Sequence, residues 1–215
     1  MTNRNRWLIG TAAVVGYVLL WVGWVAQWSW VTTLDEALLE PAYRYGVAHP
    51  GWVLGWRWLS FIFGPWTFQI AAVVVAFVAL ARRQRRTAIF LLVGVVMCGL
   101  VTEVAKDIAQ RARPLTALAH ETSWSFPSGH ALGTMAGALG LCAVFTLWDV
   151  ARHRLIAVLC AVIVVFVGVS RVVLNVHNPT DVVAGWLLGG LWFLVWSPLL
   201  SSRRLSAAAE SPVPG

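Results

Sequence analysis

Long apolar stretches recur along the whole chain and limit how this sequence can fold more than any other feature. They cover roughly residues 7–28, 50–81, 87–109, 130–149, 155–170 and 181–200. Most of them are long enough for an α-helix to cross a bilayer, which takes about 20 residues. Only 12% of the 215 residues are charged, about half the share that is typical of soluble domains. The sequence therefore predicts an all-α polytopic membrane protein, built as a six-transmembrane-helix bundle.

The segments between the apolar stretches are too short for a second domain. We expect residues 1–205 to form a single membrane-embedded domain and residues 206–215 to be a disordered tail. Segment 50–81 is too long for one ordinary span, so we expect its Trp-rich front half to lie at the membrane interface and its rear half to cross. Between the first two spans, Thr33-Leu34-Asp35-Glu36 has the pattern of a capping box and predicts a short surface helix.

Arginines indicate how the spans are oriented. They lie in four clusters: Arg4 and Arg6; Arg82, Arg83, Arg85 and Arg86; Arg152 and Arg154; Arg203 and Arg204. With six spans, all four clusters fall on one side, which the positive-inside rule assigns to the cytoplasm. This placement accounts for the net charge of +7 without a nucleic-acid partner. We therefore expect a protein of the plasma membrane with both termini in the cytoplasm.

The start of the chain has some likeness to a signal peptide. Its apolar run is too long for the usual signal core and no convincing cleavage site follows, so we expect an uncleaved first span. The connections 29–49, 110–129 and 171–180 would then all face outward. Cys98, Cys142 and Cys160 lie inside apolar segments with no disulfide or metal-binding spacing, which favours a packing role.

The first polar stretch on the outward side joins Lys106 to Arg113 and Pro114. Seven residues are two helical turns, so both cations would share a helix face if the helix continued that far. Pro114 would end it. Taken alone, the pair is equally typical of cations that snorkel from the end of a span.

The second stretch is Pro127-Ser128-Gly129-His130, directly before an apolar run. Ser128 suits the capping position of the next helix. Free backbone N–H groups at a helix start form an anion site, and Gly129 would allow an anion to approach closely. Alone, the stretch could also be an ordinary cap with an incidental histidine.

The third stretch contains Arg171, His177 and Asp181. Asn178-Pro179 is a good cap followed by a first-turn proline, which places Asp181 at the third helical position and His177 just outside. The Asp181 carboxylate can then fold back towards the His177 ring and fix its tautomer, as in an activated nucleophile with an orienting acid. Because these three stretches meet on one membrane face, a functional site is favoured over three coincidences.

Together the three stretches resemble the signature motifs of the type 2 phosphatidic acid phosphatase superfamily. Lys106-x6-Arg113-Pro114, Pro127-Ser128-Gly129-His130 and Ser170-Arg171-x5-His177-x3-Asp181 match in order and spacing. The resemblance implies a six-span lipid phosphatase. It assigns His177 as a nucleophile that forms a phosphohistidine, Asp181 as the acid that holds His177, and His130 as the general acid. It assigns phosphate binding to Lys106, Arg113, Arg171, Ser128 and Gly129.

We expect no cofactor and no metal, because three cations can take the place of magnesium and no Asp/Glu cluster is present to hold one. Glu103 and Asp107 are expected to pair with Lys106. The expected partners are the bilayer and a lipid phosphate: phosphatidic acid, phosphatidylglycerophosphate or undecaprenyl pyrophosphate. Two alternatives remain open at this point, a lipid phosphotransferase and an anion transporter.

Overall fold

A computed structural model describes residues 2–200 of the protein. The predicted tail, 206–215, and the last arginine cluster lie outside the described residues. Within residues 2–200 the regular structure is helical, with a π-helical segment at Leu92–Val96. The α-helices are α1 (Asn3–Val25), α2 (Ser29–Ala48), α3 (Pro50–Ile62), α4 (Pro65–Ala81), α5 (Arg85–Leu91), α6 (Cys98–Ala109), α7 (Gly129–Leu147), α8 (His153–Val173) and α9 (Pro179–Trp196).

Six helical segments in the described residues are long and apolar enough to cross a membrane. They are Asn3–Val25, Pro50–Ala81, Arg85–Ala109, Gly129–Leu147, His153–Val173 and Pro179–Leu200. The prediction of an all-α, six-span membrane protein is therefore confirmed. The largest differences from the expected boundaries are at the first span, which begins and ends earlier than expected.

The second span is broken. Gly64 is extended, and Pro65 opens α4 at a position where its missing N–H costs no helical hydrogen bond. The break explains why segment 50–81 is longer than one ordinary span. The interfacial placement of its front half, now α3, stays a prediction.

The predicted short surface helix between the first two spans is wrong. Gln27 is in the left-handed region, at φ 53°, and α2 begins at Ser29 and continues for 20 residues. Thr33 and Glu36 lie inside α2 and do not form a capping box, and the Asp35 side chain between them is buried against Arg111.

Two glycines bring the backbones of α7 and α9 into direct contact. A Cβ on Gly185 would lie 2.5 Å from the Ser128 carbonyl oxygen, and one on Gly189 would lie 2.6 Å from that of Leu132. Small residues four positions apart commonly allow such close packing between membrane helices. This contact fixes the start of α7 beside the first turns of α9, where the second and third sequence motifs lie.

We expect Gly185→Ala to destabilise the protein by about 1–3 kcal/mol, since the added methyl meets backbone atoms that cannot move aside cheaply. Gly190→Ala is the matched control on the same helix, because a Cβ there meets nothing within 4 Å. Thermal unfolding in detergent micelles compares the two variants. Equal melting temperatures for both would contradict this account of the packing.

The end of the bundle opposite the motifs carries the basic clusters that the structure describes. Trp148 donates from Nε1 to Gln84 at 2.7 Å, and Arg82 lies 4.6 Å from the Trp148 ring centroid. Arg6 donates to the Leu194 carbonyl near the end of α9. Contacts between these connections keep arginines at one end and the sequence motifs at the other. All three cysteines lie in helices as free thiols, with Cys98 buried.

Candidate active site

The three sequence motifs meet because successive spanning helices alternate in direction. The end of α6, the start of α7, the end of α8 and the start of α9 therefore lie at the same end of the bundle. The loop that joins α6 to α7, residues 110–128, covers this end and is called the α6–α7 loop below. It contributes side chains to the site alongside the motif residues.

Lys106 and Arg113 are brought together by the loop and not by a shared helix face. Gln110 adopts the left-handed conformation, with φ at 52°, and α6 ends at Ala109. The helix thus ends where the predicted span 87–109 ends, and the condition under which the two cations would share a helix face is not met. Instead, Ser123 Oγ accepts from both cations, from Lys106 Nζ at 2.7 Å and from Arg113 Nη2 at 3.2 Å. Lys106 also pairs with Glu103 at 3.4 Å, as predicted, whereas the predicted pair with Asp107 is not among the ion pairs of residues 2–200.

The start of α7 has the predicted form, with Ser128 at the capping position. Its side chain makes no capping hydrogen bond, and its Oγ is buried without a partner. A Cβ on Gly129 would lie 2.9 Å from Thr102 Cγ2 and 3.8 Å from Lys106 Nζ. The glycine thus allows α6 to pass close to the start of α7, which places the Lys106 ammonium beside the first residue of that helix.

The start of α9 positions Asp181 against His177 as the sequence predicts. Pro179 is the first helical residue, and the Asp181 carboxylate folds back to accept from the Asn178 backbone N–H at 2.8 Å. Its Oδ2 lies 3.6 Å from His177 Nδ1. Ser125 donates to the same oxygen and lies 3.4 Å from His177 Nδ1.

The other ring nitrogen of His177 identifies its tautomer. Arg113 Nη1 lies 3.1 Å from His177 Nε2 and also donates to the Val176 carbonyl at 2.7 Å. A guanidinium has donors but no acceptor, so Nε2 accepts and carries a lone pair. The proton therefore resides on Nδ1, facing the Asp181 carboxylate. In this tautomer Nε2 is unprotonated, which is the state that a nucleophilic ring nitrogen requires.

The pKa of His177 is lowered to about 4, mainly by burial and also by the cations Arg171 and Arg113, while Asp181 opposes the shift. Only 1% of the residue is exposed. The imidazole is thus neutral at pH 7. Since protonation would occupy the Nε2 lone pair, nucleophilic capacity should be lost only as the pH falls through about 4.

We expect the His177 ring to stay neutral, with its proton on Nδ1, at every pH from neutral down to well below the pKa of an ordinary histidine. Nitrogen NMR of protein labelled in its histidine rings measures both properties during a pH titration. The His177→Gln variant assigns the resonance by its loss. A titration midpoint at or above the ordinary histidine value would contradict the expectation.

Arg171 reaches the site from the end of α8 and pairs with a carboxylate that the sequence analysis did not single out. It donates to Ser60 at 3.0 Å and to Glu121 of the α6–α7 loop, while its Nε is buried without a partner. Glu121 also lies 3.9 Å from Arg113. Burial raises the pKa of the Glu121 carboxyl, but Arg171, then Arg113 and His177, lower it by more, so the net pKa is below its usual value. The charged Glu121 carboxylate therefore forms ion pairs with two of the predicted phosphate-binding cations, Arg171 and Arg113.

His130 lines a cavity of about 460 Å³ beside this ion pair. Its walls come from α3, the α6–α7 loop and the end of α8, and include Arg57, Trp58, Phe61, Glu121 and Arg171. Within residues 2–200 the His130 ring nitrogens have no hydrogen-bond partner. A proton on this ring is consequently free to be given to a group inside the cavity.

The structure thus brings all eight predicted site residues to one end of the bundle and adds five that sequence reasoning missed. The added residues are Asp35, Arg111, Glu121, Ser123 and Ser125. Ser123 and Ser125 precede the second motif closely, and this proximity was the available signal. Arg111 lies inside the first motif, two residues before Arg113, and no pattern in the sequence connects Asp35 or Glu121 to the motifs. Among the described residues, no group of three or more His, Cys, Asp or Glu side chains could hold a metal.

A sequence profile described as the PAP2 superfamily matches residues 87–204, a range that includes all eight predicted site residues. The chain belongs to the PAP2 superfamily. Three curated relatives have three different names. Over 100 residues the chain is 38% identical to phosphatidylglycerophosphatase B of Bacillus subtilis, covering 45% of this chain and 49% of the relative.

The other two relatives have similar identity. They are an undecaprenyl-diphosphatase of Sulfolobus acidocaldarius, 33% identical over 54% of this chain and 56% of the relative, and a lipid A 1-phosphatase of Rhizobium etli, 34% identical over 53% and 50%. The chain spans about half the length of the curated relatives it matches.

A solved PAP2 structure matches far more of the chain. The transmembrane PAP2 type phosphatidylglycerolphosphate phosphatase from Bacillus subtilis superposes with a TM-score of 0.75 at 26% identity, over 90% of this chain and 96% of that chain. The PAP2 fold therefore includes α1 to α4, which precede the region matched by the sequence profile. Asp35 lies in that preceding part.

Proposed function

We propose that this protein is an integral-membrane phosphatase that hydrolyses the phosphate monoester or diphosphate of a lipid through a phosphohistidine on His177. The observation that carries the proposal is the state of the His177 ring. The Asp181 carboxylate lies 3.6 Å from its Nδ1, and Arg113 donates to its Nε2. This leaves a neutral imidazole whose lone pair points at a cation that can bind phosphate.

In the first step, the Nε2 lone pair of His177 attacks phosphorus and the bond from phosphorus to the lipid oxygen breaks. Asp181 stabilises the positive charge that develops on the ring, because the Nδ1 proton stays directed at its carboxylate. Lys106, Arg113 and Arg171 balance the charge on the non-bridging oxygens. Phosphoryl transfer is catalysed mainly by such positioning and charge balance.

Proton transfer falls to His130, which we propose as the general acid. A protonated His130 gives its proton to the departing lipid oxygen, so the alcohol leaves uncharged. The neutral ring then takes a proton from water, and the resulting hydroxide attacks the phosphohistidine. The bond between phosphorus and Nε2 breaks, which returns the electron pair to His177 and releases phosphate.

Glu121 has a defined part in this scheme. Its carboxylate lies on Arg171 and Arg113, and a phosphate that binds the same cations must take its place. Ser128 Oγ and Arg171 Nε, both buried without partners, supply hydrogen bonds that Glu121 does not use. Phosphate therefore gains interactions that the carboxylate lacks, which favours the exchange.

The proposed substrate is a lipid because the site opens among membrane helices. The cavity beside His130 is walled by apolar side chains of α3 together with Arg57, which suits a charged headgroup with apolar tails. Relatives are named for phosphatidylglycerophosphate, undecaprenyl diphosphate and lipid A 1-phosphate. We take these three, with phosphatidic acid, as the candidate substrates.

The deciding experiment measures phosphate release by purified protein from each of these lipids, in buffer that contains a metal chelator. We expect hydrolysis of at least one lipid, with the chelator having no effect, because cations of the chain itself face the phosphate. Activity lost in chelator and restored by magnesium would contradict metal independence. Transfer of phosphate to an added alcohol in preference to water would favour a phosphotransferase. Anion flux without hydrolysis would favour a transporter.

We also propose that the protein lies in the plasma membrane with both termini in the cytoplasm and the site outside. The arginine clusters at the opposite end of the bundle support this. On a background that lacks all three cysteines, Ala117→Cys in the α6–α7 loop should react with an impermeant maleimide in intact cells. Ala151→Cys, an exposed alanine at the opposite end, should react only after the membrane is opened. The reverse pattern would overturn the orientation.

A further inference from the structure

A buried ion-pair cluster lies directly behind Asp181. Arg111, from the α6–α7 loop, donates from Nη1 to Asp181 Oδ1 at 2.6 Å and from Nη2 to Asp35 Oδ2 at 2.7 Å. All three residues are at most 7% exposed. One guanidinium thus joins two carboxylates from separate helices, α2 and α9. The mechanism described above uses neither Arg111 nor Asp35.

The two oxygens of Asp181 have separate tasks in this arrangement. Oδ2 faces His177 Nδ1 and accepts from Ser125 and from the Asn178 backbone. Oδ1 is held by Arg111. A carboxylate can rotate about its terminal bond, and the bond to Arg111 opposes that rotation. Arg111 therefore keeps Oδ2 directed at the ring whose tautomer it sets.

Asp35 anchors the far side of the same guanidinium. Its Oδ2 accepts from Arg111 Nη2 and from Thr180 Oγ1 at 2.8 Å, and its Oδ1 accepts from the Thr180 backbone N–H at 3.0 Å. That N–H belongs to the first turn of α9, where backbone donors have no helical partner. Thr180 Oγ1 in turn accepts from Arg111 Nη1 at 2.8 Å. Asp35 thus ties α2 to the turn that carries Asp181.

The charges make this cluster sensitive to the loss of its cation. Two carboxylates and one guanidinium are buried together, so without Arg111 two like charges would face each other in a region of low dielectric. A lysine could offer a point charge but not the planar fork that reaches both carboxylates. Either protonation or rotation of Asp181 would then relieve the repulsion, and both would weaken its bond to His177.

We propose that Arg111, anchored by Asp35 of α2, is a positioning residue that fixes the Asp181 carboxylate so that His177 keeps its proton on Nδ1. The inference rests on the proposed function for its kinetic consequence. It also gives α2, which precedes the region matched by the family profile, a part in the chemistry. Arg111 touches neither the substrate nor the reacting atoms in this scheme.

The kinetic test is a double-mutant cycle on the lipid substrate that the wild-type protein hydrolyses best. Arg111→Gln should lower kcat about 100-fold through misplacement of the ring, with KM within about two-fold. On an Asp181→Asn background, the same substitution should lower kcat by no more than about two-fold, since both act through one carboxylate. If the loss of kcat in the double variant equalled the product of the losses in the two single variants, the proposal would be overturned. A merely structural role of Arg111 would act independently of Asp181 and would give that product.

The ring tautomer gives a second readout that needs no activity. In nitrogen NMR, Arg111→Gln and Asp35→Asn should each raise the share of His177 with its proton on Nε2. Glu40→Gln is the matched control for Asp35→Asn. Glu40 lies on α2 like Asp35, but it pairs with Arg44 on the surface. If the wild-type protein hydrolysed no lipid, the proposed function would fail, and this measurement would still test the positioning.

Folding is monitored by thermal unfolding in the same detergent. If Arg111→Gln does not fold, Arg111→Lys and Asp35→Asn decide the matter, since the latter leaves Arg111 paired with Asp181 alone. We expect both to fold, to lower kcat by about 10-fold or more with KM nearly unchanged, and to shift the tautomer. Wild-type kcat and a wild-type tautomer in these folded variants would overturn the proposal.

Discussion

Replacement of His177 by alanine is expected to remove phosphate release from every lipid substrate. The expected loss in kcat is at least about 10⁴-fold, in the range seen when a hydrolase loses its nucleophile. Asp181 and Ser125 are not in position to replace it, because both lie on the Nδ1 side of the ring. The measurement is phosphate release by purified protein in detergent or nanodiscs.

A folding control is essential for this variant, since His177 is fully buried. His177→Gln keeps more of the side-chain volume and serves as the second variant. Both should retain the helical signal and a cooperative melt. Turnover within ten-fold of wild type by either folded variant would contradict the assignment of His177 as the nucleophile, whatever the substrate.

Replacement of His130 by alanine should have the second largest effect, and its size should depend on the leaving group. For a lipid phosphate, whose alkoxide is a poor leaving group, we expect kcat to fall about 10²- to 10⁴-fold without general acid catalysis. For nitrophenyl phosphate, the phenolate leaves without a proton, so formation of the intermediate should be nearly unimpaired. Rapid-quench measurement of nitrophenol release in the first turnover separates the two cases.

The comparison distinguishes acid catalysis from a structural contribution. A residue that only supports the fold would lower both reactions by the same factor. His177→Ala is the internal control, because it should abolish reaction with both substrates. An equal loss with both substrates in His130→Ala would show that His130 is not the general acid.

Sequence reasoning predicted the parts of the site whose signals are local. The cap and proline before α9 fix Asp181 at the third helical position, so its approach to His177 follows from a few adjacent residues. Ser128 is at the start of α7 for the same reason. Hydropathy and alternating helix direction are enough to bring these helix ends together. Such features need no knowledge of how the helices pack.

Features that depend on packing could not be predicted in this way. The left-handed conformation of Gln110, after which the loop brings Arg113 to the same serine as Lys106, is not required by its residue type. Asp35 lies within a sequence pattern that predicts a surface helix, and only its burial against Arg111 shows that it contacts the site. Glu121 is a single acid in a long loop. The pairs Asp35–Arg111 and Glu121–Arg171 join residues more than 40 positions apart.

The covalent intermediate is the central claim, and it can be measured directly. In His130→Ala, nitrophenyl phosphate should still phosphorylate the enzyme, while the loss of the group that activates water should slow breakdown. The phosphoenzyme should therefore accumulate. Mass spectrometry after an alkaline quench, which preserves phosphohistidine, should find one added phosphoryl group on the peptide that contains His177 and none in the His130→Ala/His177→Ala double variant. Nitrophenol release by a folded His130→Ala protein with no phosphate on that peptide, or with phosphate on another residue, would contradict the account.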